Sequence, residues 1–142
     1  MVALLDDHLL RDLLAQNMSP DLDQVLDQEE PATTNLYLYQ LAKSAVSARG
    51  GALTGSWPSE HRRELGRRLI ELPESVQIIP MRTISYRMAE IADAHRISTL
   101  GAEAAAAAEH LSAALYVREG DDGPGIRSVV TGVGARYKAL TR

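Results

Sequence analysis

The 142-residue chain has no cysteine and no phenylalanine, one tryptophan and five tyrosines. Without cysteine, a disulfide framework and thiolate zinc sites are both excluded. With so few aromatics, a platform on which successive single-stranded bases stack is not evident. No apolar run approaches the roughly 20 residues that a membrane-spanning helix needs. The opening Met1-Val-Ala-Leu-Leu meets Asp6 and Asp7 at once, with no basic segment and no apolar stretch of signal-peptide length. The expectation is a cytoplasmic chain with no membrane contact. A strong charge of one sign is also missing. The net charge of −4 demands no polyanionic partner, so any nucleic-acid surface would have to be local.

What is present reads as an ordinary globular domain, 45% apolar and 24% charged. At this length one core can bury about two-thirds of the unfolded chain's surface, so residues 1–142 are expected to form a single domain. Val2 to Leu5 is a short apolar run that leads directly into a helix carrying Leu9, Leu10, Leu13 and Leu14. Ser19-Pro20-Asp21 starts a second helix, and Pro31 is expected to end it. Thr33 or Thr34 then caps a helix through Arg49. Gly50 to Pro58 reads as a loop, and Ser59 opens a helix that Pro73 stops. Val76 to Ile79 is a second strand, followed by a helix from about Ile84 to Ala94. Another helix begins near Ser98 and holds the alanines Ala104 to Ala108, a composition suited to close packing on a sheet. Leu115 to Val117 is a third strand, Gly123 to Gly132 a helix, and Arg136 to Leu140 a last strand. Strands separated by helices predict a three-layer α/β fold, a short parallel sheet flanked by helices.

In such sheets ligands bind beyond the carboxyl ends of the strands, where strand order switches. Asp6 and Asp7 follow the first strand, and Glu119, Asp121 and Asp122 follow the strand Leu115 to Val117. Glu103, early in the alanine-rich helix, reaches the same edge if that helix is short or angled. Should the two strands be neighbours, these carboxylates converge, and clustered carboxylate oxygens suit magnesium or manganese. Crowded acids repel, so replacing Asp6 or Asp121 by Asn would then raise metal-free stability.

The opening "VALLDDHLLRDLLA" and the stretch "SYRMAEIADAHRISTLGAEAAAAAEHLSAALYVREGDD" resemble the first strand and helix, and the C-terminal half, of PIN-domain ribonucleases. The resemblance covers about half of the chain. It implies a metal-dependent RNA-cleaving fold, often the toxin of a toxin and antitoxin pair, with single-stranded RNA, an antitoxin-like protein and a second copy of the chain as partners. Carried over, Asp6, Glu103 and Asp121 are the catalytic acids, and Asp6, Asp7, Glu103, Asp121 and Asp122 the ligands of a magnesium or manganese ion. The acid that usually opens the alanine-rich helix aligns with Gly101, so Glu103 serves from a shifted position. The segment matching the family's central acid reads "PATTNLYLYQLA", where Thr33, Thr34 and Asn35 supply no carboxylate. That departure favours an alternative: a non-catalytic PIN-like binding or regulatory module.

"LLDDHLLRDLL" is also similar to the start of response-regulator receiver domains. Their phosphate acceptor should follow the mid-chain strand, which here ends in Pro80-Met81-Arg82, so phosphotransfer is rejected. The basic run His61 to Arg68 could track an RNA backbone, yet Glu60, Glu64 and Glu71 fit a solvated, paired face better. His8, His61, His95 and His110 make no metal-binding helical pair and read as surface or helix-end residues. Tyr37, Tyr39 and Trp57 are expected at core edges. "EGDDGPG" has neither the spacing nor the lysine of a phosphate loop.

Overall fold

The computed structural model describes residues 1–47, 51–120 and 125–141. In chain order the elements are β1 (Val2–Leu5), α1 (Asp7–Leu14), α2 (Pro20–Leu26), β2 (Glu30–Thr33), α3 (Asn35–Val46), α4 (Gly51–Thr54), α5 (Ser59–Ile70), β3 (Gln77–Ile78), α6 (Met81–His95), α7 (Thr99–Leu111), β4 (Ala114–Arg118), α8 (Ile126–Gly132) and β5 (Tyr137–Leu140). The strands form one five-stranded sheet in the order β3-β2-β1-β4-β5, parallel throughout. The expected three-layer α/β architecture is therefore the one observed. Among the described residues no helix is long and apolar enough to cross a membrane.

Both faces of the central strands are covered, as an all-parallel sheet requires. Ala3, Leu5, Ala114 and Tyr116 pack with Leu9 and Leu22 on one side. Leu4, Leu115 and Val117 pack on the other with Ile84, Met88, Ile91 and the alanines of α7. Ala104, Ala105, Ala107 and Ala108 are wholly buried, so the alanine run serves the close approach that its composition predicts. A third cluster joins Leu10, Leu14, Leu41, Leu53, Leu65 and Val76 beneath α1, α3 and α5.

Several local expectations need correction. Pro31 does not end α2. That helix stops at Leu26, and Pro31 lies inside β2, opposite Ala3 of β1. Proline is tolerated there because β3 pairs only with Ala32 and Thr33, so no ladder bond is asked of position 31 on that side. Thr33 is consequently a strand residue, and Thr34 alone caps α3, its Oγ1 accepting from Tyr37 N at 3.1 Å. The helix after β3 starts at Met81, a turn earlier than expected. The loop expected from Gly50 to Pro58 contains the single helical turn α4. Residues 48–50, 121–124 and 142, which include the expected end of α3 at Arg49, the first residues of the expected Gly123 helix, and both Asp121 and Asp122, lie outside the described residues. Tyr39 is 59% exposed and so is no core-edge residue, whereas Tyr37 and His8 are buried.

Candidate functional site

The chain runs from β1 outward to β2 and β3, then crosses to β4 on the other side of β1. The carboxyl ends of β1 and β4 are thus the switch point of the sheet, where α/β folds open a crevice. The two strands pair directly, Leu5 opposite Tyr116, so the adjacency on which convergence of the acids depends is met.

Asp6 stands at this point, 2% exposed. Its backbone N–H donates to Tyr116 O at 3.1 Å, continuing the ladder. Its carboxylate then does two jobs. Oδ1 accepts from Leu9 N at 2.8 Å, which caps α1, and Oδ2 accepts from Arg118 N at 3.1 Å, which fastens the end of β4. A carboxylate at a helix start also faces the positive end of the helix dipole. Asp7, the first residue of α1, is less enclosed, and its Oδ1 accepts from His8 N at 2.9 Å. Burial pushes its carboxyl above the usual 3.8, against the opposing charges of His8 and Arg11.

Glu103 reaches the same edge without any angling of α7, because a helix that leads back into β4 begins at the carboxyl side of the sheet. It is fully buried. Oε1 accepts from Leu36 N at 2.8 Å, and Oε2 accepts from Asn35 N at 3.3 Å and Asn35 Nδ2 at 3.1 Å. A side chain 68 residues away in sequence thus satisfies the first amides of α3. Asn35 Nδ2 also donates to Ile79 O at 2.8 Å, and Thr33 Oγ1 to Leu5 O at 2.8 Å. Side-chain bonds therefore lace the carboxyl ends of β1, β2, β3 and β4 together.

Tyr37, buried one turn into α3, reports what surrounds it. Burial raises its hydroxyl well above the ordinary value, and the charges of Asp6, Asp7 and Glu103 raise it further. All three acids are near enough to act on one phenol. Among the described residues, however, no three His, Cys, Asp or Glu side chains gather closely enough to hold a metal ion. Glu119 is exposed, and its N–H pairs with Leu140 O at 3.0 Å, continuing the β4 and β5 ladder. Asp121 and Asp122 are the two site candidates outside the described residues.

Gly101, where the resemblance places an acid, is crowded by the side chain of Ile97, which would have to shift to admit one. A Cβ there would lie 2.5 Å from Ile97 Cδ1 and 2.7 Å from Ile97 Cγ1, with Ile126 Cγ1 at 3.4 Å. The departure from the family pattern is built into the packing of α7 against the turn before it and α8.

Beside Asp7 opens a cleft of about 510 Å³ that sequence reasoning missed. Asp7 and His8 form one wall, Gln40, Lys43 and Ser47 of α3 the other, and Leu53 of α4 contributes to the lining. A signal was available: Gln40, Lys43, Ser44 and Ser47 recur at i, i+3, i+4 and i+7, a polar stripe at helical spacing. The basic helix α5 behaves as expected of a solvated face, Arg67 and Arg68 both pairing with Glu64. Arg11, buried in α1, is held by Asp12 Oδ1 at 2.8 Å and donates to Leu53 O at 2.7 Å.

No family model matches the chain, and no curated protein matches it. Its backbone is similar to the crystal structure of PAE2754 from Pyrobaculum aerophilum, with a TM-score of 0.58 at 16% identity, over 99% of this chain and 90% of that one. At that identity the likeness shows a shared fold and nothing about activity.

Proposed function

We propose that this chain is a PIN-like domain that acts on single-stranded RNA at the switch point between β1 and β4, with a magnesium or manganese ion as its cofactor. The observation that carries this reading is the placing of Asp6 and Asp7 at the end of β1, and of Glu103 in the first turns of α7, along the carboxyl edge where β1 and β4 pair. Hard carboxylate oxygens fit such an ion in kind. In number, the described residues fall short, and Asp121 or Asp122, which follow β4 closely in sequence, would complete the set. A cation beside Asp7 would offset the burial that holds its carboxyl up. When bound, such an ion supplies an activated water and charge for the scissile phosphate. The chain's own contribution is to hold Asp6 and Glu103 in place through backbone amides.

A specific observation favours the second reading, a non-catalytic binding or regulatory module. Asp6 and Glu103 are already engaged as struts, each accepting backbone amides from a distant element. The fold would need both acids for that purpose alone. Titration calorimetry with manganese, followed by incubation with a labelled single-stranded RNA, separates the two. Heat of binding together with manganese-dependent cleavage, abolished by chelator, supports the nuclease. Absence of heat and of metal-induced thermal stabilisation at millimolar manganese leaves the module. Antitoxin-like partners and a homodimer remain part of the same proposal, tested by the mass of the purified chain in solution with and without its genomic neighbour's product.

A further inference from the structure

The cleft beside Asp7 adjoins the carboxylate edge and is left unexplained by it. Its volume of about 510 Å³ lies within the range of roughly 300–1,000 Å³ that encloses small ligands. Its walls differ in charge. Asp7 lies on one side, and Lys43 on the other is exposed and makes no ion pair among the described residues. Lys43 Nζ lies over the face of Tyr39, 5.8 Å from the ring centre. Of the neighbouring cations, Arg11 pairs with Asp12, Arg67 and Arg68 pair with Glu64, and Arg62 donates to Ser47 O at the cleft's rim. Lys138, the other lysine of the chain, lines a separate cleft beside Tyr116.

We infer that this cleft is a nucleotide subsite in which Lys43 binds a backbone phosphate next to the one presented at Asp6 and Asp7, with the Gln40 amide available to the nucleoside between them. The inference rests on the reading of this edge as an RNA site and adds the residues that hold the strand. The sequence order explains why the two features adjoin: Asp6 ends β1, Asp7 and His8 begin α1, and that same turn of α1 is a wall of the cleft. A phosphate beside Asp7 alone meets a carboxylate and is repelled. The strand must be tied down by a cation one unit away, and Lys43 is a cation among the residues that line that space. Lysine is suited to this, since its ammonium is a point charge that contacts a phosphate without requiring one orientation.

The test is fluorescence anisotropy of a labelled 12-nucleotide RNA, and of the DNA of the same sequence, in chelator and at low salt, so that binding is read without cleavage. The proteins are the parent, Lys43→Ala, Lys43→Arg and Lys138→Ala. Lys43→Ala is expected to weaken binding roughly three- to tenfold and to lower the slope of log affinity against log salt by about 0.7, the loss of one phosphate contact on a single strand. Lys43→Arg should restore most of the affinity, and Lys138→Ala should match the parent. Equal losses in Lys43→Ala and Lys138→Ala would mean diffuse charge and overturn the subsite, as would a parent that binds neither strand. Preference for RNA over DNA places a ribose contact in the cleft, while equal binding restricts the contact to phosphate, and the subsite stands in both cases. Manganese-dependent cleavage is measured separately. A parent that binds through Lys43 but never cleaves keeps the subsite and discards the nuclease.

Discussion

Replacing Asp6 by Asn sets two effects against each other, and the structure decides the sign. If the acids at the switch point mainly repel one another, Asn relieves crowding and the metal-free protein melts higher. If Asp6 is mainly a strut, Asn loses a bond. Its two oxygens accept from Leu9 N at 2.8 Å and Arg118 N at 3.1 Å. Asn has one acceptor oxygen, so whichever way its amide is turned, one backbone N–H faces an NH₂ group. A buried N–H left in that state costs about 1–3 kcal/mol, and the lost charge at the start of α1 adds about 0.3–1 kcal/mol. The opposing relief is taken as the smaller effect, because the charges of His8 and Arg11 offset part of the charge on Asp7. The net loss is roughly 2 kcal/mol, which for a domain of this size lowers Tm by about 5–10 °C. Circular dichroism melts in chelator measure it, with Asp6→Ala as a more severe companion that removes the cap altogether. An Asp6→Asn protein that melts at or above the parent temperature would refute the strut and restore crowding as the dominant effect.

Glu103→Gln should destabilise by about 1–3 kcal/mol and Glu103→Ala by about 3–5 kcal/mol, since the first turns an NH₂ towards the amides of Asn35 or Leu36 and the second abandons both in the interior; denaturant midpoints at constant m-value rank them, and equal midpoints for the parent and Glu103→Ala would show that the amides of α3 find water instead. Gly101→Asp restores the acid of the resembled family but forces a Cβ to within 2.5 Å of Ile97, so it should cost several kcal/mol by overpacking and buried charge and yield no gain in manganese heat, which calorimetry checks directly. Asp7→Asn acts in the opposite sense to Asp6→Asn. The folded-state pKa of Asp7 is raised above the ordinary 3.8, so its ionisation disfavours folding as pH rises through that window, and the variant should be the more stable protein at pH 7. Below pH 3.8, where Asp7 is protonated in both states, the advantage should vanish in paired melts. An advantage that is independent of pH would assign it to something other than charge.

The alternation of short apolar runs and helical patterns was enough to read the fold class from the chain, because a strand buried on both faces and a helix buried on one leave different periods in the sequence. β1, β4 and the alanines of α7 are of this kind, and so is the placing of Asp6 directly after a strand. β2 was hidden, since Glu30-Pro31-Ala32-Thr33 has neither an apolar run nor a clean alternation. It is a strand only because β1 pairs with one side of it and β3 stops short of Pro31. The roles of the acids were equally out of reach. Glu103 bonds to amides 67 and 68 residues away, and Asp6 to one 112 residues away. No local pattern records such partners. Composition and periodicity thus determine which segments become strands and helices and which edge collects carboxylates. Only the tertiary structure decides that Asp6 and Glu103 hold the sheet edge together, and that Lys43 and Asp7 line one cleft, because each depends on which elements pack side by side.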